Sequence, residues 1–366
     1  MRADVGGSAG TARSTARLRD SIRRALPDAA FTSRPFRALW FLPLVSVAAA
    51  GVGVIASDRA SSFACVVAVL VVGNVYASML LLSHEVMHGA IVRKRWLQYA
   101  LSWIGFAPFL ISPTLWRTWH NEVHHRHANE PERDPDTFAG EALHASSSAS
   151  RWVLRLIPGS GGPASFVFPF LWYLAQGQIV LWYLSRRMGG FERLDRTRCK
   201  IEVAVMAAGW LALATLVGIR DSVLAIAAPM AVGNCILMSY IATNHLLRPL
   251  SERSEPLLGA MSVETVAPLD RLHFRFSHHV EHHLFPAMSG RYLPLVREWL
   301  AAHVADRFVC VPHGRAIHAL YTTPRTYRDE NTLVDPSNPT RAPIDLNRLG
   351  RELARKSQRQ DQQTIT

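Results

Sequence analysis

The run ASSFACVVAVLVVGNVYASMLLL, residues 60–82, carries no charged side chain and passes directly into Ser83-His84-Glu85-Val86-Met87-His88. A charge-free stretch of about 20 apolar residues is what a bilayer-crossing helix requires. Three other stretches match it or nearly so, at residues 38–57, 203–219 and 222–244. Only Asp58-Arg59 separates the first pair and Arg220-Asp221 the second, so each pair reads as a helical hairpin with almost no loop. Buried soluble helices are the competing reading, and two consecutive hairpins without a polar stripe argue against it.

Composition points the same way. The 366 residues are 49% hydrophobic and 19% charged, below the roughly 25% charged of an average soluble protein. That excludes a disordered or coiled-coil chain. Four cysteines (Cys65, Cys199, Cys235, Cys310) form no CxxC pair, which argues against a disulfide framework or a thiolate metal site. The net charge of +12 is mostly arginine, and no nucleic-acid partner is expected. Eight arginines precede residue 38, and Arg186, Arg187, Arg193, Arg196, Arg198 and Lys200 precede the third apolar stretch, whereas the hairpin tips carry one basic residue each. By the positive-inside rule both termini are expected in the cytoplasm. No apolar h-region precedes Ala38, so no secretory signal peptide is expected.

Residues 96–116 and 156–184 are also uncharged but are broken by Pro108, Pro113, Pro158, Pro163 and Pro169, and read as interfacial or re-entrant segments. Leu18, Ile22 and Leu26 recur at helical spacing among arginines. They predict a basic amphipathic helix lying on anionic lipid, with a solvated, frayed tail as the alternative. The expected organisation is a basic amino-terminal region at 1–37, a membrane domain with a cytoplasmic cap at 38–310 and a polar carboxy-terminal tail at 311–366. The chain beyond about Val334 reads as loose. The fold class is all-α integral membrane, multi-pass: four transmembrane helices in two hairpins, with the cap holding a metal site.

Three histidine clusters suggest that site: His84-Glu-Val-Met-His88, His120-Asn-Glu-Val-His124-His125 and His279-Val-Glu-His282-His283. Residues three or four apart on a helix share a face, so each cluster is expected to aim its imidazoles at one point. Neutral imidazole is the commonest metal ligand. Eight exceed what one ion can hold, so the economical reading is a dinuclear centre. An all-nitrogen donor set suits zinc, iron, copper or nickel. His84, His88 and His245 fall at the cytoplasmic ends of the second and fourth spans, which requires residues 96–116 to enter and return on the same side. Glu85, Glu122, Asp134, Asp136 and Glu281 are candidates for orienting the imidazoles from behind.

On the strings HEVMHG (84–89), WHNEVHH (119–125) followed by Asp134-Pro-Asp136, and HHVEHHLFP (278–286), the chain resembles the membrane fatty acid desaturases, within the non-haem di-iron desaturase and hydroxylase superfamily. The resemblance covers about residues 38 to 300. It implies two iron ions held by His84, His88, His120, His124, His125, His279, His282 and His283, with His245 similar to a ninth ligand. It also implies O2 as co-substrate, a fatty acyl substrate in the lipid bilayer, and electrons from an external donor, a ferredoxin or b-type cytochrome. Some members carry Asn four residues before the lone histidine; here Ile241 stands there and Asn244 is adjacent. The first cluster has Glu85 where Asp is common.

No Gly-rich dinucleotide fingerprint or cysteine-ligated cluster signals a fused reductase. The basic run Arg186–Lys200, with Arg291, Arg297 and Arg307, would steer an acidic donor or contact anionic lipid. Three rival functions remain. A lipid or carotenoid hydroxylase or ketolase shares the same ligands. His84-Glu85-x-x-His88 is also a zinc-peptidase pattern, with Glu as general base; it leaves the other two clusters idle. A metal carrier would put ionisable groups mid-span, whereas the histidines here lie at span ends.

Overall fold

The computed structural model describes residues 5–57, 59–137, 145 and 148–354. Four helical stretches are long and apolar enough to cross a membrane: Pro35–Ile55, Ser62–Met87, Arg196–Val217 and Val223–Leu246. The helices are α1 (Val5–Ala25), α2 (Phe41–Ile55), α3 (Ser62–Met87), α4 (Arg95–Phe106), α5 (Phe168–Trp182), α6 (Arg196–Val217), α7 (Ala228–Leu246), α8 (His279–Leu284), α9 (Leu293–His303) and α10 (His313–Thr322), with shorter turns between them. Large apolar side chains on α2, α3 and α6 face outward, among them Leu42, Phe63, Leu70, Val205, Leu211 and Leu216. A surface like that suits lipid and is not tolerated in water.

Helix α3 organises the rest. Ser61 caps its start by accepting the Ala64 N–H at 3.2 Å. Its 26 residues span ~39 Å at 1.5 Å per residue, longer than the roughly 30 Å hydrocarbon layer. The last turn therefore carries His84 beyond the apolar stretch. Both this span and the fourth run two to five residues further than their charge-free stretches, to Met87 and Leu246, because the cap buries the polar residues at their ends. Helices α4 and α7 pack against α3, and α5 packs against α7.

The approach of α4 is very close. A Cβ on Gly105 would lie 2.1 Å from the Met79 carbonyl oxygen and 2.3 Å from Ser83 Oγ. With 12 residues α4 is too short to span. The chain reverses at Leu110, a left-handed residue (φ 51°), and Ser112 caps the returning turn Pro113–Trp116. Glu202 of α6 fixes this reversal, accepting from Ser112 Oγ at 2.5 Å and from Thr114 Oγ1 at 2.8 Å. Residues 96–116 thus enter beside α3 and come back toward the histidines.

The cap contains α8, α9 and α10, a parallel pairing of β1 (Ser262–Glu264) with β2 (Cys310–Pro312), and an antiparallel sheet of β3 (Thr326–Tyr327), β4 (Thr332–Val334) and β5 (Ile344–Asp345). Two expectations are corrected here. Helix α1 neither lies on lipid nor frays: Ile22 and Leu26 are buried against Val280, Leu284, Met288 and Val296 of the cap, and Arg19 donates to the His283 carbonyl at 3.2 Å.

The chain beyond Val334, expected to be loose, is held too: β5 pairs with β4, and Leu346 is buried with Leu250, Tyr327 and Leu333. The expected boundary falls inside β2, and Val311, Leu333 and Leu346 are buried. The buried Arg325 guanidinium donates to the carbonyls of Pro158, Leu246 and Leu320. Polar side chains satisfied by distant carbonyls leave no apolar periodicity, so the sequence read as loose. Residues 355–366 lie outside the described residues.

Gly105→Ala puts a methyl against backbone that cannot retreat, so it lowers the unfolding temperature in detergent by several degrees. Gly209→Ala on α6, where a Cβ meets nothing within 4 Å, leaves it unchanged or slightly raised. Differential scanning fluorimetry of the two variants checks this.

Candidate metal centre

All nine expected histidines converge at the cap-side ends of α3 and α7. Their grouping does not follow the sequence clusters. Ring nitrogens of His84, His88, His120, His125 and His282 lie within 4.8 Å of one another, and those of His124, His245 and His283 form a second such group. His279 joins the second, its Nε2 standing 2.6 Å from His245 Nε2 and 3.1 Å from His283 Nε2. Two of the three sequence clusters are therefore divided between the groups: His124 joins His245 and His283, while also standing within 4.8 Å of His120 and Asp136 in a third grouping, and His282 parts from His279 and His283.

A π-helix makes the first split. Arg117–His124 is wound with i→i+5 bonds, a geometry concentrated at functional sites. It brings His125 beside His120, Nε2 to Nε2 at 3.2 Å, while His124 faces the other way to His245 and His283, at ring distances of 4.9 and 5.2 Å. Asn121 Nδ2 donates to the Met87 carbonyl at 3.0 Å, and Asn129 Nδ2 donates to the His245 carbonyl at 3.3 Å. One segment thus reaches the carbonyls at the ends of both α3 and α7, that of Met87 and that of His245, which also accepts the Arg248 N–H, and ties those ends together. Neither asparagine has a spacing signal in the sequence.

The donor set fits metal. The Nε2 atoms of His84 and His120 are 3.1 Å apart and those of His125 and His282 3.2 Å. With metal–imidazole bonds of about 2.0–2.1 Å, nitrogens on adjacent vertices around one ion stand roughly 3 Å apart. A neutral imidazole has one N–H, so this many nitrogens meeting face to face cannot all be satisfied by hydrogen bonds. Among the described residues His88 Nε2 has no hydrogen-bond partner, and the Asn244 amide is likewise buried without one. Burial pushes His88, His120, His125, His279 and His283 well below the ordinary imidazole range, and His282 to about 3, with neighbouring imidazoles adding to the effect. They are neutral, with lone pairs free to bind an ion.

His124 differs. Burial opposes its charging, but Asp134 and Asp136 outweigh that and lift it to about 9. Its Nδ1–H donates to Asp134 at 3.0 Å, and Asp136 Oδ2 is 3.2 Å away. Asp134 also accepts the N–H of Asn129 and of Asp136, and Asp136 accepts from Trp119 Nε1 and Gln176 Nε2. These aspartates hold the ring so that Nε2 faces the second group. The Gly259 carbonyl does the same for His245, accepting from Nδ1 at 3.1 Å.

The other acidic candidates sit differently. Glu85 takes two bonds from Arg37 (2.8 and 3.2 Å) and one from the Gly290 N–H. It ties the first span to the cap and is not a free base between His84 and His88, which removes the peptidase reading. Glu281 is fully buried and binds Arg297 at 2.7 Å and Ser262 Oγ. Glu122 is solvent-facing, 3.8 Å from Arg117, and touches no histidine. Of the basic residues expected on a donor-facing surface, Arg297 is committed to Glu281, Arg307 to Glu255 and Arg198 to Glu202.

A narrow cavity leaves the histidines toward the bilayer. His84, His120, His124, His245 and His279 form one end, Leu80, Leu81, Leu237 and Ile241 the apolar walls, and Trp116, Tyr173 and Phe276 the aromatic ones. Trp116 stacks on His120 with centroids 4.4 Å apart.

Asp134→Asn removes the charge that fixes the His124 tautomer, a loss that typically weakens metal affinity about 10–100-fold. Chelator titration followed by elemental analysis should show this loss, and should show Glu122→Gln holding metal like the parent.

A family model described as Fatty acid desaturase matches residues 60–315. The chain is 25% identical over 294 residues to an sn-1 oleoyl-lipid 12-desaturase of Synechocystis sp., covering 76% of this chain and 80% of that protein. It is 25% identical over 275 residues to an acyl-lipid (7-3)-desaturase of Rebecca salina (67% and 59% of the two chains). It is 29% identical over 162 residues to an sn-1 oleoyl-lipid 12-desaturase of Picosynechococcus sp. (43% of each). The histidine geometry and the family match agree: this chain is an enzyme of the fatty acid desaturase family.

Proposed function

We propose that the protein introduces a C=C bond into the acyl chain of a membrane lipid, using O2 and two irons held by the nine histidines. The observation that carries this reading is the five-and-four arrangement of imidazole nitrogens closing one end of an apolar cavity. A saturated acyl chain has no acidic proton and no leaving group, so no side chain lining the cavity can oxidise it. Bound iron supplies the oxygen chemistry that does.

Overall, two neighbouring methylenes lose two hydrogens while O2, two electrons and two protons become two waters. His84, His88, His120, His125 and His282 would hold one ion, and His124, His245, His279 and His283 the other. Asp134 and Asp136 keep His124 oriented. The cavity measures about 30 Å3, room for roughly one water, so Leu80, Leu81, Leu237 and Ile241 would have to part to admit the chain along α3 and α7, and the methylenes beside the histidines would be chosen by how far they part. Acyl-lipid relatives make a glycerolipid-borne chain the favoured substrate.

The electrons come from a separate protein, a ferredoxin or b-type cytochrome. A cleft lined by Arg19, Asp20, Arg23, His125 and His283 touches one histidine of each group, and its two arginines, against one aspartate, favour an acidic donor. The excess of Arg at the cap end of the spans supports a cytoplasmic cap and termini.

Expression in a host with a suitable donor, followed by mass spectrometry of acyl chains, tests the reading. The expected product is lighter by two hydrogens, with the His282→Ala variant inactive and depleted of iron. Gain of one oxygen overturns desaturation in favour of hydroxylation. Leu237→Trp fills the cavity two helical turns from His245, so turnover of long chains falls at least tenfold while shorter chains are still accepted.

A further inference from the structure

Where the cap meets the start of the first span, a second cavity of about 400 Å3 is walled by Arg37, Arg271, Arg275 and Arg291, with Trp40 and Leu44 from the span. Four guanidiniums around so small a space repel one another unless an anion lies between them. Arg37 has its anion, Glu85 at 2.8 Å. The other three have no carboxylate within 4.0 Å among the described residues. The nearest acid in sequence, Asp270, is engaged by Ser277 Oγ at 2.5 Å. Phe274 and Arg275 both adopt left-handed backbone (φ 52° and 62°), a cost that residues other than glycine incur only where the surroundings impose it.

The rim identifies the setting. Trp40 and Leu272 line this cavity and are exposed large apolar residues, as are Phe36, Val266 and Leu269 close by in sequence. Tryptophan beside arginine at the start of a span marks the headgroup layer of a bilayer. An anion in that layer, matched to forked guanidinium donors, is a lipid phosphate. The cavity is also coupled to the histidines. Arg275 adjoins Phe276, whose ring walls the acyl cavity and lies 5.2 Å from His84. Arg37 is held by Glu85, the residue after His84.

We infer that Arg271, Arg275 and Arg291 bind the phosphodiester headgroup of the phospholipid whose acyl chain occupies the cavity below, so that the headgroup anchor sets which carbons reach the histidines. This rests on the acyl-lipid reading above and names the lipid class. The test is displacement of a fluorescent phosphatidylglycerol from the purified protein in non-ionic detergent. The competitors are unlabelled phosphatidylglycerol, diacylglycerol with the same chains, and an acyl-coenzyme A.

Phosphatidylglycerol is expected to displace the probe at a concentration at least tenfold lower than diacylglycerol does. A combined Arg271→Gln, Arg275→Gln, Arg291→Gln variant should erase that difference while still binding diacylglycerol. Equal displacement by the two lipids in the parent protein overturns the proposal, and that arm needs no substitution that could unfold the cap. Stronger displacement by the acyl-coenzyme A assigns the phosphate to a soluble thioester and overturns the lipid source. No arm requires turnover, so an enzyme that inserted oxygen instead of removing hydrogen would leave the binding result standing.

Discussion

Nine imidazoles turned nitrogen to nitrogen in a buried space is the constraint from which the rest of this structure follows. Neutral rings at 3.1–3.2 Å gain nothing from each other beyond the hydrogen bonds their few N–H groups allow, and an orphaned buried polar atom costs about 1–3 kcal/mol. The apolar core cannot favour such an arrangement. It is imposed by polar clamps placed one layer out: Asp134 and Asp136 on His124, Gly259 on His245, Arg297 and Ser262 on Glu281, Arg37 and Gly290 on Glu85. The clamps on Glu85 reach across 48 and 205 residues, while those on His124, His245 and Glu281 close nearer loops. The cap is therefore a device for holding ligands against their own preference until an ion offsets the cost.

The membrane helices serve the same end. Two of them, α3 and α7, deliver histidines at their last turns, and the asparagines of one segment tie those ends together. The short helix α4 and the reversal after it bring the second histidine cluster back to the side where the first began. Close contact at Gly105 and the Glu202 network fix that path. The acyl cavity is simply the space left between α3, α7 and the returning segment, which is why its mouth and the ligands cannot be moved independently.

Much of this was legible in the sequence. Charge-free runs marked the four spans, repeated histidine spacing marked eight candidate ligands, and the family resemblance added the ninth, His245. The partition of those ligands was not legible, because it depends on a π-helix and on pairs such as His125 with His282, 157 residues apart. Helical spacing alone put each cluster on one point. Acidic neighbours were read with mixed success: Asp134 and Asp136 orient a histidine, Glu85 and Glu281 bind arginines instead, and Glu122 faces solvent. Acidic residues near histidine in the sequence thus have different fates, decided by folds of the chain that local pattern does not encode. The amino-terminal helix and the chain past Val334 were not legible for the same reason, since their partners are cap residues and side chains remote in sequence.

The π-wound segment Arg117–His124 has one more residue in its turn than an α-helix would use. Such a turn behaves as a lone insertion: take the surplus residue out and everything downstream rotates, carrying His124 and His125 off their targets together.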